Sequence, residues 1–210
     1  MSRELEQRLR QRLAGTSEAA PRPLATLELP LRAEKLIRAA MLRAMKPASV
    51  LIPVLRRPVG LQLLLTRRSE HLRAHKGQIS FPGGRREETD PSAAAAALRE
   101  AEEEVGIPPR EVEVIGYLDD YPTLTGFLVT PVIGLVSNLP SIRPCAREVA
   151  EVFEMPLAFA LRNSNFERKI LRKGGLNVPF FELNHGRHRI WGATAGMLWN
   201  LAQTVGDPDD

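Results

Sequence analysis

The feature that most constrains the fold is the stretch from Phe81 to Ile107, FPGGRREETDPSAAAAALREAEEEVGI. Its alanine run has high helix propensity. Asp90 and Pro91 suit the N-cap and the first helical position, and Gly106 suits the left-handed residue that commonly ends a helix. The sequence therefore predicts a glycine turn, a charged connection and one capped helix.

Three carboxylates of this helix are predicted to share one face. Glu100, Glu103 and Glu104 are spaced i, i+3 and i+4, and like charges at this spacing repel by about 0.2–0.5 kcal/mol per pair. A cation would relieve that repulsion, and ligands made only of oxygen favour Mg²⁺ or Mn²⁺. Glutamate runs are usually solvated. Here the glycine turn and an apolar stripe favour a functional site, the stripe comprising Ala93, Ala97, Leu98, Ala101 and Val105.

The stretch resembles the Nudix box, whose pattern is Gly, five residues, Glu, seven residues, and then Arg-Glu-apolar-x-Glu-Glu-x-Gly-apolar. The second half is matched residue by residue by Arg99, Glu100, Ala101, Glu103, Glu104, Gly106 and Ile107. In the first half, counting from Gly84 places Asp90 where the pattern has Glu. The gap from Asp90 to Arg99 is one residue longer than in the pattern.

That extra residue and the upstream segment Leu64–Gly84, LLTRRSEHLRAHKGQISFPGG, resemble the coenzyme A diphosphatase branch of the Nudix hydrolases. The upstream match rests on Leu64, Leu65, Thr66, Arg68, Ser69, Arg73, Gly77 and Phe81 to Gly84. The resemblance extends from about Ala48 to Ala195. It implies an α/β/α sandwich around a mixed β-sheet, and hydrolysis of coenzyme A or a derivative to 3′,5′-ADP and 4′-phosphopantetheine or its acyl form.

The resemblance also implies roles for the residues of the box. Glu100 and Glu104 are the principal ligands of Mg²⁺ or Mn²⁺, Glu103 is a third ligand or the catalytic base, and Arg99 orients a carboxylate. In the family an acidic residue at the position of Asp90 pairs with this arginine, so Asp90 either pairs with Arg99 or serves only as the helix cap. A base from outside the box is an alternative, with three candidates: Glu148, Glu151 and Glu154.

The loop before the glycine turn is rich in cations. From Arg67 to Arg86 there are six Lys or Arg residues, and Glu70 is the only acid. Such a patch beside a glutamate helix suits a compact polyphosphate, because guanidinium groups bind phosphate oxygens bidentately and lysine binds them as a point charge. The predicted substrate-binding residues are Arg68, Arg73, Lys76, Gly83 and Gly84.

Composition restricts the compartment and the partners. A net charge of +4 and a pI of about 9.6 favour anionic partners, but the absence of a long basic tract argues against nucleic acid. The single Cys145 fits a reducing compartment. No apolar run approaches the roughly 20 residues of a membrane span, and the N-terminus lacks the apolar core of a signal peptide. We expect a cytoplasmic protein with no membrane partner; a homodimer is compatible with the sequence.

Helices mixed with hairpins and apolar strands predict an α/β fold. We expect an N-terminal helical extension over residues 1–47, packed on a catalytic domain at 48–204, and a tail at 205–210. The extension is predicted to contain helices at 2–13 and about 31–45. Predicted strands are Ser49–Leu55, Leu61–Thr66, Val112–Leu118, Phe127–Val136, Glu148–Met155, Phe166–Arg172 and Asn177–Leu183; short and closing helices are predicted at Leu157–Leu161 and Gly192–Thr204.

Two other functions are compatible with the sequence. The same chemistry could act on ADP-ribose, a dinucleotide or RNA 5′ ends. A protein of another class, a non-catalytic sensor, could bind a nucleotide metabolite on the same fold. The intact set Arg99, Glu100, Glu103 and Glu104 argues against a sensor, because a binding module need not retain three clustered carboxylates.

Overall fold

The structure, a computed structural model, describes residues 2–18, 42, 44–71, 75–137, 141–173 and 176–206. Most of the helix predicted at about 31–45 lies outside these ranges. The substrate-binding candidate Arg73 lies outside them as well. In the described part of the chain, no helix has the length and apolar character needed to cross a membrane.

The larger sheet of the described chain is mixed and has eight strands. The strands are β1 Lys46–Arg57, β2 Gly60–Arg68, β3 Ile79–Ser80, β4 Gly83–Arg85, β5 Val112–Tyr117, β6 Tyr121–Pro122, β7 Phe127–Val136 and β8 Val149–Pro156. Five of them form the main order, β3-β2-β1-β7-β5, while β4 pairs with β1, β6 with β7 and β8 with β2. The pairing of β1 with β7 is parallel, and the other pairings are antiparallel.

Apolar layers cover both faces of this sheet, which explains why the central strands are almost continuously apolar. The helices are α1 Ser2–Leu13, α2 Ala93–Val105, α3 Leu157–Ala160 and α4 Ala193–Val205. On one face, α2 packs with Leu51, Leu64 and Val132. On the other face, α1 and α4 pack with Ile52 and Ile133. The predicted α/β/α sandwich around a mixed sheet is confirmed.

The boundaries of α2 correct one prediction. Asp90 is not the N-cap and Pro91 is not the first helical residue; Ser92 is the N-cap, and its Oγ accepts a hydrogen bond from the Ala95 amide at 3.0 Å. The Asp90 carboxylate instead accepts hydrogen bonds from the Arg99 guanidinium and from the Glu87 N–H. The predicted end is confirmed: Gly106 has φ of 73° and donates its N–H to the Glu102 carbonyl at 3.0 Å.

A smaller sheet consists of β9 Phe166–Lys173, β10 Leu176–His185 and β11 His188–Trp191. Its order is β11-β10-β9, and it packs beside α4. β9 and β10 pair antiparallel, and they confirm the strands predicted at Phe166–Arg172 and Asn177–Leu183. Glu182 of β10 is buried between two cations. It accepts hydrogen bonds from Arg189 Nη2 at 2.6 Å and from Lys169, and these lower the pKa of Glu182 to about 2.

We expect Glu182→Gln to destabilise the protein more at pH 7 than at pH 3. A carboxyl whose folded-state pKa lies below its unfolded value, here about 2 against 4.5, stabilises the fold above the unfolded value. That contribution is lost as the pH falls from 4.5 towards 2. The free energy of unfolding in urea should fall by about 1–2 kcal/mol at pH 7. Glu167→Gln, in the more exposed partner of Lys169, is the control, and an equal loss at both pH values would contradict the assignment.

Helix α1 is part of the main core. Its buried residues Leu9 and Leu13 join the cluster on the face opposite α2. Its polar side makes two ion pairs with the sheet: Arg10 Nη1 lies 2.6 Å from Glu113 Oε1, and Arg56 Nη2 lies 2.7 Å from Glu6 Oε1. The helix predicted at 2–13 is confirmed, and it contributes side chains to the main core.

We expect Leu9→Ala to lower the free energy of unfolding by about 2–5 kcal/mol, the range for removing a fully buried leucine side chain. Chemical denaturation followed by circular dichroism measures this loss. Gln11→Ala, at an exposed position of the same helix, should change stability by less than about 0.5 kcal/mol. A comparable loss in both variants would show that α1 is not packed as described.

Candidate active site

Glu104 is the most buried carboxylate of the acidic face. Its side chain is 4% exposed, Gly83 donates its backbone N–H to Oε2 at 3.3 Å, and Arg68 Nη1 lies 3.6 Å from Oε1. These partners compensate only part of the cost of burying a charge. Burial therefore raises the pKa of Glu104 to about 7.

Glu100 lies beside Glu104 and faces the same strand, β4. A Cβ atom added to Gly84 would lie 2.5 Å from Glu100 Oε1, so the backbone of β4 passes directly over this carboxylate. Glycine is required where the backbone approaches another group so closely. Burial is the main cause of a raised pKa of Glu100, although Arg99, at 3.0 Å from Oε1, opposes it.

Glu103 occupies a different position. Its side chain is 60% exposed, and its described contact is with Arg99, whose Nη1 lies 3.3 Å from Oε2. The i, i+3, i+4 spacing correctly predicts one acidic face, but only two of the three carboxylates are turned towards β4. Glu103 stands at the solvent edge of the group.

Arg99 joins the carboxylates to the connection that precedes the helix. Its Nε and Nη2 donate to the two carboxylate oxygens of Asp90 at 3.1 and 3.0 Å, a bidentate pair that lowers the pKa of Asp90. Asp90 also accepts the N–H of Glu87 at 2.8 Å. Of the two roles predicted for Asp90, the pairing is the one observed. Because α2 begins only after Ser92, the additional residue is accommodated before the helix.

The structure distinguishes the three acidic candidates outside α2. Glu151 is bound by Arg187, His188 and Arg67, which lower its pKa to about 2, and Glu154 pairs with Arg57 at 2.6 Å. Glu148 is exposed, and no ion pair joins it to another described residue. Its charge adds to the burial that raises the pKa of both Glu100 and Glu104. Of the three candidates, Glu148 is therefore the one whose charge acts on both Glu100 and Glu104.

The predicted substrate-binding residues are only partly brought together. Arg68, Gly83 and Gly84 adjoin the two buried carboxylates. Arg68 Nε is buried without a hydrogen-bond partner among the described residues, so the guanidinium can accommodate a further acceptor. Lys76 is exposed, and in the described ranges no ion pair links it to the acidic group.

The residues of this group fit a hard divalent cation chemically. Within the described ranges, no three Asp, Glu, His or Cys side chains stand already arranged to hold a metal ion. The half-buried Glu100 and the buried Glu104 nevertheless supply only oxygen donors, and the raised pKa of each reports negative charge that is incompletely compensated. Mg²⁺ and Mn²⁺ prefer such ligands and would offset that charge.

Comparison with known proteins supports the resemblance to the Nudix family. The NUDIX domain family matches residues 45–173. A relative from Escherichia coli (strain K12), named Uncharacterized Nudix hydrolase NudL, is 47% identical over 161 residues, which cover 77% of this chain and 83% of the relative. A protein of the same name from Shigella boydii serotype 4 (strain Sb227) matches to the same extent.

The solved structures with similar folds include one from C. elegans and one from Enterococcus faecalis. An Ap4A hydrolase binary complex from C. elegans is 17% identical, with a TM-score of 0.47 over 54% of this chain and 83% of that one. A MutT/nudix family protein from Enterococcus faecalis is 15% identical, with a TM-score of 0.47 over 81% of this chain and 69% of that one.

The family match covers more than half of the chain, and the matched segment contains the glycine turn, the acidic helix and Arg99. Nudix hydrolases generally depend on divalent metal ions, in agreement with the oxygen donors described above. This chain belongs to the Nudix domain family, as a hydrolase that acts on acid anhydrides in phosphorus-containing compounds.

Proposed function

We propose that the substrate is coenzyme A or an acylated or oxidised derivative, cleaved at its diphosphate bond to 3′,5′-ADP and 4′-phosphopantetheine or the corresponding derivative. One observation carries this proposal. The segment that resembles the coenzyme A diphosphatases, Leu64–Gly84, supplies Arg68, Gly83 and Gly84, which lie against Glu100 and Glu104. Residues of the segment that resembles this branch therefore adjoin the carboxylates of the Nudix box.

In this proposal Glu100 and Glu104 hold the metal ion, and Glu103 is a third ligand or the base. A bound Mg²⁺ or Mn²⁺ would neutralise phosphate charge and lower the pKa of a water molecule. Arg99 orients Glu100 while its other nitrogens are held by Asp90. Its pairing with Asp90 restricts the guanidinium to one orientation, so that Glu100 is held towards β4.

The base that takes a proton from the attacking water has two candidates. Glu103 is exposed and contacts Arg99. Glu148 is also exposed, and its negative charge raises the pKa of both Glu100 and Glu104. Glu151 and Glu154 are less suited, because cations hold them more closely than Arg99 holds Glu103. Arg67 Nε lies 3.0 Å from Glu151 and Arg57 Nη2 lies 2.6 Å from Glu154, against 3.3 Å for the Arg99–Glu103 pair. A base must be within hydrogen-bond reach of the proton it abstracts, and a committed ion pair lowers basicity.

The cationic loop supplies recognition of the substrate. Arg68 presents a buried Nε without a described partner, so it is the first candidate to bind a phosphate oxygen. Arg73 and Lys76 complete the proposed set. Coenzyme A carries a 3′-phosphate in addition to its diphosphate, which gives a reason for several cations in one loop. We also propose a cytoplasmic location, consistent with a single Cys145 in a reducing compartment.

The test is incubation of the purified protein with coenzyme A and Mg²⁺ or Mn²⁺, followed by chromatography. Appearance of 3′,5′-ADP that is lost in Glu104→Gln and retained in Glu102→Gln supports both the reaction and the site. Glu102 is an exposed residue of the same helix and provides a matched change of charge.

Substitution of Arg68 by Lys should raise KM more than it lowers kcat, because a point charge replaces a bidentate group.

Other outcomes separate the alternative functions. If coenzyme A remains intact while ADP-ribose, a dinucleotide or RNA 5′ ends are cleaved, the substrate proposal fails and the hydrolase assignment stands. If none is cleaved but a nucleotide binds, the sensor replaces the enzyme. A steep dependence of RNA binding on salt would favour RNA, because each phosphate contact releases counterions.

A further inference from the structure

The N-terminus of α2 receives a side chain from outside the matched family segment. The backbone N–H of Ala93 donates to Glu18 Oε2 at 2.5 Å, while Ser92 Oγ accepts the N–H of Ala95. The first four N–H groups of a helix lack acceptors within the helix, and a carboxylate there also interacts favourably with the helix dipole. Glu18 therefore completes the cap that Ser92 begins.

The sheet is shaped to hold the chain that leads to Glu18. β5 has a bulge between Val114 and Gly116, and a Cβ atom added to Gly116 would lie 2.6 Å from Thr16 Oγ1 and 2.7 Å from Leu13 Cβ. Thr16 Oγ1 accepts the N–H of Tyr117 at 2.9 Å. The end of α1 thus packs directly on the bulge, and Thr16 fixes the chain two residues before Glu18.

Helix α1, which precedes Thr16 and Glu18 in the same extension, is also anchored on the larger sheet. The ion pairs of Glu6 with Arg56 and of Arg10 with Glu113 hold α1 on β1 and β5, and Leu9 and Leu13 are buried beneath it. The position of Glu18 is consequently set by the sheet through α1. The sheet also carries β4, whose glycines face the carboxylates of α2.

We propose that Glu18 is a positioning residue for the catalytic helix. Through Ala93 it fixes the first turn of α2, and α2 carries Glu100 and Glu104 towards Gly83 and Gly84. The geometry there leaves little tolerance, since even a methyl group on Gly84 would overlap the carboxylate of Glu100. Small displacements of catalytic groups reduce rates strongly. The roles of Glu100 and Glu104 in this inference rest on the proposed function.

Hydrogen exchange and Mn²⁺ binding to the full chain test the inference without any substrate. In Glu18→Ala we expect the amides of Ala93 to Ala96 to exchange about three- to tenfold faster and Mn²⁺ affinity to fall by a similar factor, as loss of a helix cap implies. With a cleaved substrate, kcat should fall by that factor while KM changes little. Glu18→Gln should restore most of each property, because its amide oxygen still accepts the N–H of Ala93.

Glu4→Ala is the matched control. It removes a carboxylate from an exposed position of the same extension, outside the two ion pairs that hold α1 on the sheet, and it should leave Mn²⁺ affinity unchanged. Unchanged exchange and Mn²⁺ affinity in Glu18→Ala, or equal losses in Glu4→Ala, would overturn the inference. A lower Tm without altered exchange in α2 would overturn it as well. If coenzyme A is not cleaved but exchange and Mn²⁺ affinity respond as expected, only the substrate proposal fails.

Discussion

Glu104→Gln is expected to reduce hydrolysis by about 10²–10³-fold, a loss typical of removing a charged group that acts on the transition state. Glu104 is almost completely buried beside Gly83 and Arg68, and glutamine fills the same volume without the negative charge. The metal-free variant should remain folded, because the substitution removes a charge whose burial is costly. Initial rates across Mg²⁺ concentrations and thermal unfolding by circular dichroism measure the two effects separately.

Glu102→Gln supplies the comparison for this experiment. The residue lies on the exposed side of the same helix, so the change in net charge and in helix composition is the same. Its kcat should remain within about twofold of the wild type, as expected for an exposed side chain away from the site. Retention of full activity by Glu104→Gln at both limiting and saturating Mg²⁺ would refute the metal-binding role of this carboxylate.

Gly84→Ala is expected to lower kcat by about 10²-fold with little loss of stability. The three heavy atoms nearest to the added Cβ would all belong to the carboxylate of Glu100, with Oε1 at 2.5 Å and Oε2 at 2.7 Å. A side chain can rotate away from this overlap, but the carboxylate then leaves its position against β4. A displacement of about 1 Å at a catalytic group is sufficient for a loss of this size.

Gly83→Ala is the informative counterpart, one residue earlier in the same strand. Its Cβ would lie 2.4 Å from the Ser49 carbonyl oxygen and 2.6 Å from Val50 Cα, and these backbone atoms of β1 have no rotamer to change. We expect the free energy of unfolding to fall by about 3 kcal/mol. Urea denaturation and kinetics of both variants give the test: the opposite ranking, with Gly84→Ala the less stable, would contradict the described packing of β4.

The sequence predicts much of the fold because its patterns are local. The alanine run and Gly106 locate α2, and the apolar run of β7 is predicted with the bounds observed. The prediction that Asp90 is the N-cap is wrong, because Asp90 and Ser92 are both favourable capping residues. A tertiary contact decides between them, since Arg99 binds the Asp90 carboxylate. Capping preferences do not report that contact; the pairing is one of the two roles that the resemblance to the Nudix box implies for Asp90.

The site is predictable to a similar degree. The spacing of Glu100, Glu103 and Glu104 identifies an acidic face, but the spacing alone does not show which edge of that face packs against β4. The choice among Glu148, Glu151 and Glu154 depends on cations far away in the chain, such as Arg57 for Glu154. No local sequence pattern predicts the contact of Glu18 with α2, because its partner Ala93 lies 75 positions later in the chain.

The parallel pairing of β1 with β7 also has a consequence for synthesis. The paired residues are about eighty positions apart, so at 5–20 residues per second β1 waits roughly 4–16 s on the ribosome before β7 is made. Pairings between distant segments form slowly, and unpaired apolar strands promote aggregation. β2 follows β1 directly through the turn between Arg57 and Gly60. This early hairpin can shield one edge of β1 in the nascent chain until the central pair of the sheet forms.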